Sequence, residues 1–397
     1  MSWPLVKLSD VVQINPRCPK EIDGDQLVSF VAMASASEDG KLLSEEIKVL
    51  NETKKGFTYF ERGDVLLAKI TPCFENGKCL RPNQISKTVG FGSTEFHVLR
   101  ANREKLDSSY LFYMIWSKAF RFMGEHSMSG AAGQKRVSVD FLKAYEIPLP
   151  PLEEQKRIAA ILDKADSVRR KRQQAIDLAD DFLRSVFLDM FGDPVSNPKD
   201  FEKVCLGHVC KIKGGKRIPK GEKLVKENTG YPYIKAGNIK NGRVNTNKLE
   251  YVPHHVREKI ARYTVEAGDV CLTVVGANIG DVGVVPNELN NASLTENANK
   301  LLIQNKNIIT NFYLASALQM DFIQNQIKSK TMAVGVPKLA LFRIEQLEIL
   351  IPPMELQIRF ESIVNKVDGY LDRMATSGSF CDKQFNSLSQ KAFAGEL

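Results

Sequence analysis

The side chains best suited to chemistry are hydrogen-bond donors set in glycine-containing loops, and two kinds of such loop occur once in each half of the chain. The first kind follows a Gly-Asp-Val segment. It reads Lys69-Ile-Thr71-Pro72, with Asn76 and Lys78, in the first half and Thr273-Val-Val-Gly276-Ala-Asn278 in the second. The other kind reads Ser127-Met-Ser129-Gly130-Ala-Ala-Gly133-Gln134-Lys135-Arg136, and Ser329-Lys330-Thr331 through to Gly335-Val-Pro-Lys338. A further loop belongs to the second half alone: Lys213-Gly-Gly-Lys216-Arg217, with Lys235, Asn238 and Lys240. Glycine lets backbone N–H groups approach an anion closely. Lys, Arg, Asn, Gln and Thr supply the donors that phosphate oxygens and base edges accept. The competing reading of each segment is an ordinary solvated loop.

This is the chemistry of binding, and motifs for bond-making are missing. The chain has no Asn-Pro-Pro-Phe or Asp-Pro-Pro-Tyr signature of an amino-methyltransferase and no Gly-x-x-x-x-Gly-Lys-Ser/Thr phosphate loop. Gly-x-Gly-x-x-Gly and Gly-x-Ser-x-Gly are absent as well. Glu154-Gln-Lys156 imitates part of a nuclease site but falls in the first turns of a helix. Asp64 and Asp269, each after a glycine, read as turn residues leading into strands rather than as metal ligands. The seven cysteines form no Cys-x-x-Cys pair, and with five histidines they complete no zinc site. We expect no catalytic residue and no metal site, and reduced thiols in a cytoplasmic protein.

The loops must be held by elements, and those elements come twice. Ile147-Pro-Leu-Pro-Pro-Leu-Glu-Glu-Gln155 returns half a chain later as Ile349-Leu-Ile-Pro-Pro-Met-Glu-Leu-Gln357. Gly63-Asp64-Val65 matches Gly268-Asp269-Val270, Thr94-Glu95 matches Thr295-Glu296, and Tyr110-Leu111 matches Tyr313-Leu314. Such a period is far too long for a solenoid, so a whole domain with its connector has been duplicated. After each Pro-Pro a helix is expected: proline suits a first helical turn, and Glu153-Glu154 suit the positive end of the helix dipole. The first helix should end at Gly192-Asp-Pro194. Its heptad places Ile158, Ala165, Ala179 and Val186 at one position and Ile161, Val168, Ala175 and Phe182 at the next, with Arg172 interrupting. The second helix carries Phe360, Val367, Met374, Cys381 and Leu388, beside either Ile363 and Tyr370 or Val364, Leu371, Phe385 and Ala392, and Ser377-Gly378-Ser379 could kink it. Two such stripes would pair as an antiparallel coiled coil. Before each helix, short β-like runs (26–33, 64–70 and 94–99; 269–275 and 300–303) alternate with turns, and helical patches lie at 108–123 and 310–329.

Composition agrees. The chain of 397 residues is 43% hydrophobic and 26% charged, and its formal charge of +8 leans toward an anionic partner. The start shows no basic segment followed by an apolar run, and no stretch is long and apolar enough for a membrane span.

The paired Pro-Pro-x-Glu-x-Gln openings, the long helices that begin Leu152-Glu-Glu-Gln-Lys-Arg-Ile and Met354-Glu-Leu-Gln-Ile-Arg-Phe, and the terminal Lys391-Ala-Phe-Ala-Gly-Glu-Leu397 resemble the specificity subunit of Type I restriction–modification systems. The resemblance covers the whole chain; Leu356 departs from it by replacing the usual second acid. It implies an α+β protein: two pseudo-twofold-related target-recognition domains, 1–150 and 199–351, separated by long helices at 151–198 and 352–397 that act as spacer and docking surface. It also implies a non-catalytic subunit that reads a bipartite, asymmetric target in double-stranded DNA. The partners would be two methyltransferase subunits and translocase–nuclease restriction subunits, which would hold S-adenosylmethionine, ATP and Mg²⁺.

On that reading the expected DNA contacts are Lys69, Thr71, Asn76, Lys78, Ser129, Gly130, Gly133, Gln134, Lys135 and Arg136 in the first half. Those of the second half are Lys216, Arg217, Lys235, Asn238, Thr273, Gly276, Asn278, Lys330, Thr331 and Lys338. Gln155, Ile158, Gln357 and Phe360 are expected to bind partner subunits, and the basic run Arg169-Arg-Lys-Arg172 to flank the coiled coil. The competing functions are a coiled-coil scaffold with no DNA role and a nuclease or methyltransferase that acts alone.

Overall fold

In the computed structural model the described residues are 3–81, 83–131, 133–246, 249–332 and 335–397; for 372 and 375–383 only the backbone is described. The chain forms two compact units, Met1–Arg172 with Thr376–Leu397, and Gln173–Ala375.

The first unit holds two four-stranded sheets. One runs in the order Val12–Ile14, Phe96–Ala101, Val65–Ala68, Cys79–Leu80, and the other Glu46–Val49, Leu27–Val31, Val89–Gly92, Thr58–Glu61. The all-buried strand Val65–Ala68 pairs antiparallel with Phe96–Ala101, Leu67 opposite His97. The turn into it is closed by Asp64, whose carboxylate accepts from the Glu61 N–H at 2.7 Å and from Arg100 at 2.8 Å. The expected helix at 108–123 is two helices, Ser108–Trp116 and Lys118–Ser127. Ser117 is extended between them, ending the first and capping the second through its hydroxyl.

The second unit repeats the plan with additions. Its larger sheet runs Cys210–Gly214, Ala298–Ile303, Val270–Thr273, Val282–Val284, Gly242–Val244, Ile239–Lys240, and a three-stranded sheet joins Glu250–Tyr251, Pro232–Ile234 and Ser293–Leu294. Val270–Thr273 lies against Ala298–Ile303 as its counterpart does, with Leu272 opposite Asn299. The patch at 310–329 again divides, into Asn311–Gln319 and Asp321–Lys330, around the extended residue Met320. In both units an N-terminal strand pairs with the strand before Pro-Pro: Val6 opposite Ile147, and Val204 opposite Ile349.

The central helix, Leu152–Phe191, has 40 residues and a length of about 60 Å. It ends as expected at Gly192, whose positive φ of 82° turns the chain while its N–H bonds back to the Leu188 carbonyl. The C-terminal helix, Met354–Ala394, runs through Ser377-Gly378-Ser379 without a break. Neither helix stands apart from the globular parts. In the first unit, Ile158, Ala159 and Leu162 share a core with Phe385, Ala392 and the aromatic face of Ser108–Trp116. In the second, Phe187 and Phe191 meet Phe360 and Tyr313.

In the second helix Phe360, Val364, Leu371, Phe385 and Ala392 are buried as the heptad expects, but elsewhere the buried stripe departs from it. Val168 and Phe182, expected in the seam, are each 51% exposed, while Leu162 and Phe187 are buried. Met374 is also exposed, and the side chain of Cys381 lies outside the described residues. The reason is that each helix packs on its own domain's aromatic residues as well as on the other helix, which widens and rotates the buried face. Within the second unit the helices run antiparallel: Phe187 faces Phe360, and Arg243 joins Asp180 to the later Asp368.

The repeated glutamine explains the helix openings. Gln155 is fully buried; its Oε1 accepts the Asp107 N–H at 2.8 Å, and its Nε2 donates to the carbonyls of Lys105 (2.9 Å) and Pro150 (2.8 Å). Gln357 makes the same set with Thr310, Ile308 and Pro352 at 2.8, 2.9 and 2.8 Å. Asp107 and Thr310 are the N-caps of equivalent helices, so each amide ties a long helix to the start of a domain helix. Replacing Gln155 by Ala would leave a buried N–H and two carbonyls unmatched. We expect a loss of about 2–4 kcal/mol in the first unit's unfolding free energy, measured by urea denaturation; an unchanged midpoint would refute the role given to this amide.

Candidate nucleic-acid interface

The two loop classes singled out in the sequence, separated by more than fifty residues, are hydrogen-bonded to each other in both units. In the first, the Thr71 N–H donates to the Lys135 carbonyl at 3.0 Å and the Val137 N–H to Lys69 at 2.9 Å. Ile70 and Ser129 both bridge to Arg136. In the second, the Gly276 N–H donates to Pro337 at 3.1 Å and the Leu339 N–H to Val274 at 2.9 Å, while Val275 and Met332 both bridge to Lys338. The third segment of each junction is the turn that carries Thr-Glu: the Lys69 N–H donates to the Glu95 carbonyl, and the Val274 N–H to that of Asn297. One backbone pattern thus presents different side chains, Thr71, Lys135 and Arg136 in one unit and Gly276, Pro337 and Lys338 in the other.

Gly133 and Gly335 hold the outer turns at φ of 80° and 79°, a left-handed conformation that glycine adopts without strain. Around them Ser129, Gly130, Gln134, Lys135 and Lys338 are exposed, and so are Asn76 and Asn278. Lys69, Thr71, Gly276, Lys330 and Thr331 are half-buried. Thr71 donates its hydroxyl to Glu75 at 2.7 Å, Thr331 to the Ile327 carbonyl at 2.7 Å, and Lys78 reaches the Met33 carbonyl at 3.3 Å. These three side chains already serve internal partners.

The loop found only in the second half also reaches the Thr-Glu turn. Gly215 passes so close that a Cβ there would stand 2.0 Å from the Thr295 carbonyl oxygen, which requires glycine. The Lys216 N–H donates to Leu294 and its carbonyl accepts from the Tyr233 hydroxyl. Beside it a cavity of about 220 Å³ is lined by Lys213, Arg262, Tyr263 and Lys300. Lys216 and Arg217 are exposed; Lys235 pairs with Glu250, and Asn238 accepts from the Lys235 N–H.

Two groups of expectations need correction. Thr273 is fully buried, inside the strand Val270–Thr273, so its side chain is not offered to a ligand. Gln155, Ile158, Gln357 and Phe360, assigned above to partner binding, are each 0% exposed. The glutamines are saturated by their own domain and the apolar pair fills the cores, so none of the four forms a surface. The basic run sits on the helix as expected: Asp166, fully buried, gathers Arg169 at 2.8 Å, Arg170 at 3.4 Å and Arg81.

Sequence reasoning noted Thr94-Glu95 and Thr295-Glu296 only as repeat markers. Each glutamate in fact grips an arginine: Glu95 takes Arg136 through two bonds of 2.8 and 2.9 Å, and Glu296 takes Arg217 at 2.6 Å. Hydrogen bonds from Arg136 hold the Glu95 carboxyl below the usual carboxylate range. At Glu296 burial pushes the other way, but the bonds from Arg217 and Thr295 outweigh it.

The chain matches, over residues 2–178 and again over 198–374, the family described as Type I restriction modification DNA specificity domain. The chain belongs to that family. Over 164 residues it is 43% identical to the Type I restriction enzyme EcoEI specificity subunit of Escherichia coli, a match that covers 41% of this chain and 27% of that relative's length. It is 22% identical over 389 residues to the MjaVIII specificity subunit of Methanocaldococcus jannaschii, covering 93% of this chain and 87% of the relative. The fold is shared with the Type-I restriction-modification system S subunit from M. genitalium, with a TM-score of 0.56 at 16% identity over 99% of this chain and 96% of that one. In this specificity chain no helix among the described residues is long and apolar enough to cross a membrane.

His97 is a second feature the sequence did not disclose. It is buried under the loop junction, where Nε2 donates to the Val137 carbonyl at 2.9 Å and Nδ1 accepts from Asn15 at 3.2 Å. Burial, reinforced by Lys69, holds its pKa below the ordinary value against the opposing pull of Val137 and Glu95. The unfolded chain therefore binds this proton first, and stability falls as pH drops from neutral through about 6.5. We expect the first unit's denaturation midpoint to decline between pH 7.5 and 5.5, and His97→Gln to flatten that decline. Identical slopes for the two proteins would show that His97 does not titrate in this way.

Proposed function

We propose that this chain is the non-catalytic DNA-recognition subunit of a Type I restriction–modification complex, acting in the cytoplasm and reading the two unequal halves of a split target in double-stranded DNA. The observation that carries the proposal is the loop junction built at the same repeat positions in both units. A shared backbone pattern with different donors is what two readers of different sequences require. The donors follow the division of labour seen in DNA recognition, where backbone N–H groups and lysines bind phosphate and Arg, Asn and Gln read base edges. The net charge of +8 adds attraction for a polyanion. In this reading the long helices are the spacer, and S-adenosylmethionine, ATP and Mg²⁺ belong to methyltransferase and restriction subunits rather than to this chain.

The test is methylome sequencing of cells that express the chain with its own methyltransferase subunit. We expect a two-part asymmetric motif. Replacing residues 1–150 by those of another family member should change one half of the motif and leave the other intact. Methylation without a motif, or a change in both halves, would sink the proposal.

Docking of the methyltransferase subunits belongs, on this proposal, to apolar side chains that the helices leave exposed. In the second unit these include Leu178, Phe182 and Tyr370, exposed by 67%, 51% and 62%. Exposed apolar residues of this size are typical of contact surfaces. Leu178→Asp with Phe182→Asp should abolish co-purification of the methyltransferase subunit and leave the unfolding free energy of the isolated chain, from urea denaturation, within about 0.5 kcal/mol of wild type. Retained co-purification would place docking elsewhere.

A further inference from the structure

We propose that Arg136 and Arg217 each read a guanine, one in each half of the target, and that Glu95 and Glu296 are the positioning residues that aim them. The proposal deepens the DNA-recognition reading and rests on it.

The geometry around Arg136 leaves a defined set of donors. A guanidinium has five N–H groups. Glu95 takes Nε–H and one of those on Nη2, and the Gln134 carbonyl takes one on Nη1 at 3.1 Å. Two remain without a partner among the described residues, one on each terminal nitrogen. Two donors, one on each terminal nitrogen, are what guanine O6 and N7 would accept together. Glu95 is 27% exposed and Arg136 42%, so the carboxylate lies beneath and the guanidinium above, open to an approaching ligand.

The second unit reaches the same arrangement by another route. Glu296 follows Thr295 as Glu95 follows Thr94, but Arg217 comes from the loop that only this half possesses. Nε donates to Glu296 Oε1 at 2.6 Å; both terminal nitrogens are free among the described residues, and the side chain is 78% exposed. The other carboxylate oxygen accepts from the Thr295 hydroxyl at 3.1 Å, which helps to hold the carboxylate and through it the arginine. The position that bridges the loops as Arg136 does is here Lys338, which cannot present a paired edge. Two different loops thus deliver an arginine to the same repeated glutamate.

The carboxylate also separates base reading from phosphate binding. A lone glutamate on a DNA-facing surface would repel the backbone, whereas a closed Glu–Arg pair is close to neutral. Such an arginine gains little from the phosphate field but keeps its directional donors. Base edges reward direction and phosphates reward charge, so the pair favours the base. The rigid grip also lowers the side-chain entropy lost on binding.

The experiment is methylome sequencing of the full chain expressed with its own methyltransferase subunit, comparing wild type, Arg136→Lys, Arg136→Gln, Glu95→Gln and Arg217→Gln. Wild type must first yield a two-part motif; if it yields none, the DNA-recognition reading fails before this inference is reached. Given that motif, both Arg136 variants should relax a single guanine in one half, with discrimination there falling roughly 10- to 100-fold. Arg217→Gln should relax a guanine in the other half. Glu95→Gln should relax the same position as Arg136→Gln, to a smaller extent. Arg136→Lys keeps the charge and removes the paired edge, so it separates the two roles and guards against loss of folding in the glutamine variant. An unchanged motif in the arginine variants would overturn the proposal, as would methylation that falls evenly with no position relaxed.

Discussion

The buried amide at the start of each long helix is the constraint on which the rest depends. A helix opening leaves backbone groups unpaired, and a buried opening must find partners for them within the protein. Gln155 and Gln357 solve this by bonding at once to the turn that starts their own helix and to the N-terminal turn of a domain helix. Tyr110 and Tyr313, one turn into those domain helices, close the same corner by donating to the carbonyls of Pro148 and Leu350. The strand before Pro-Pro, its antiparallel partner at the start of the unit, and the aromatic face that receives the helices meet at this corner.

A second layer of contacts ties each domain to helix side chains through a partly buried arginine. In the first unit Arg81, beside the strand Cys79–Leu80, meets Tyr113, Asp163 and the fully buried Asp166, and lies over the ring of Phe112. In the second unit Arg243 on the strand Gly242–Val244 takes Asp180 and Asp368, one from each long helix, at 2.7 Å. Charges removed from water are tolerated only with several well-placed partners, and both clamps meet that condition. They occupy different places in the two sheets, so the equivalent task was met separately after duplication.

On this frame the loop junction can vary without cost to the fold. Its geometry is set by backbone bonds between the segment after Ala68 or Thr273 and the segment before Val137 or Leu339, so side chains at its surface are free to differ. Of the buried residues there, Val137 and Leu339 stay apolar and fill cores, while a buried polar residue, His97 or Asn299, stands in the strand beneath. At the surface, exposed Lys135 gives way to Pro337, and half-buried Arg136 to exposed Lys338. A constant backbone scaffold thus lets the surface side chains differ between the two repeats while the fold stays the same.

The sequence by itself determined the duplication, the two helix openings, the stop at Gly192, the strands that follow Gly-Asp, and the loops that would carry donors. Each of these is local: a periodicity, a turn residue, or a motif that recurs. It also singled out two loop classes, because glycine and basic residues cluster in both, and folding joins the two by hydrogen bonds. Only the tertiary structure decided which of those residues remain available. Thr273 fell inside a strand, and Gln155 and Gln357 proved to be internal ties because their partners, Asp107 and Thr310, lie almost fifty positions away. Glu95 looked like an incidental repeat marker until folding set it beside Arg136, and Glu296 until folding set it beside Arg217. Burial and long-range pairing depend on how the chain closes on itself, and no local pattern of residues encodes that closure.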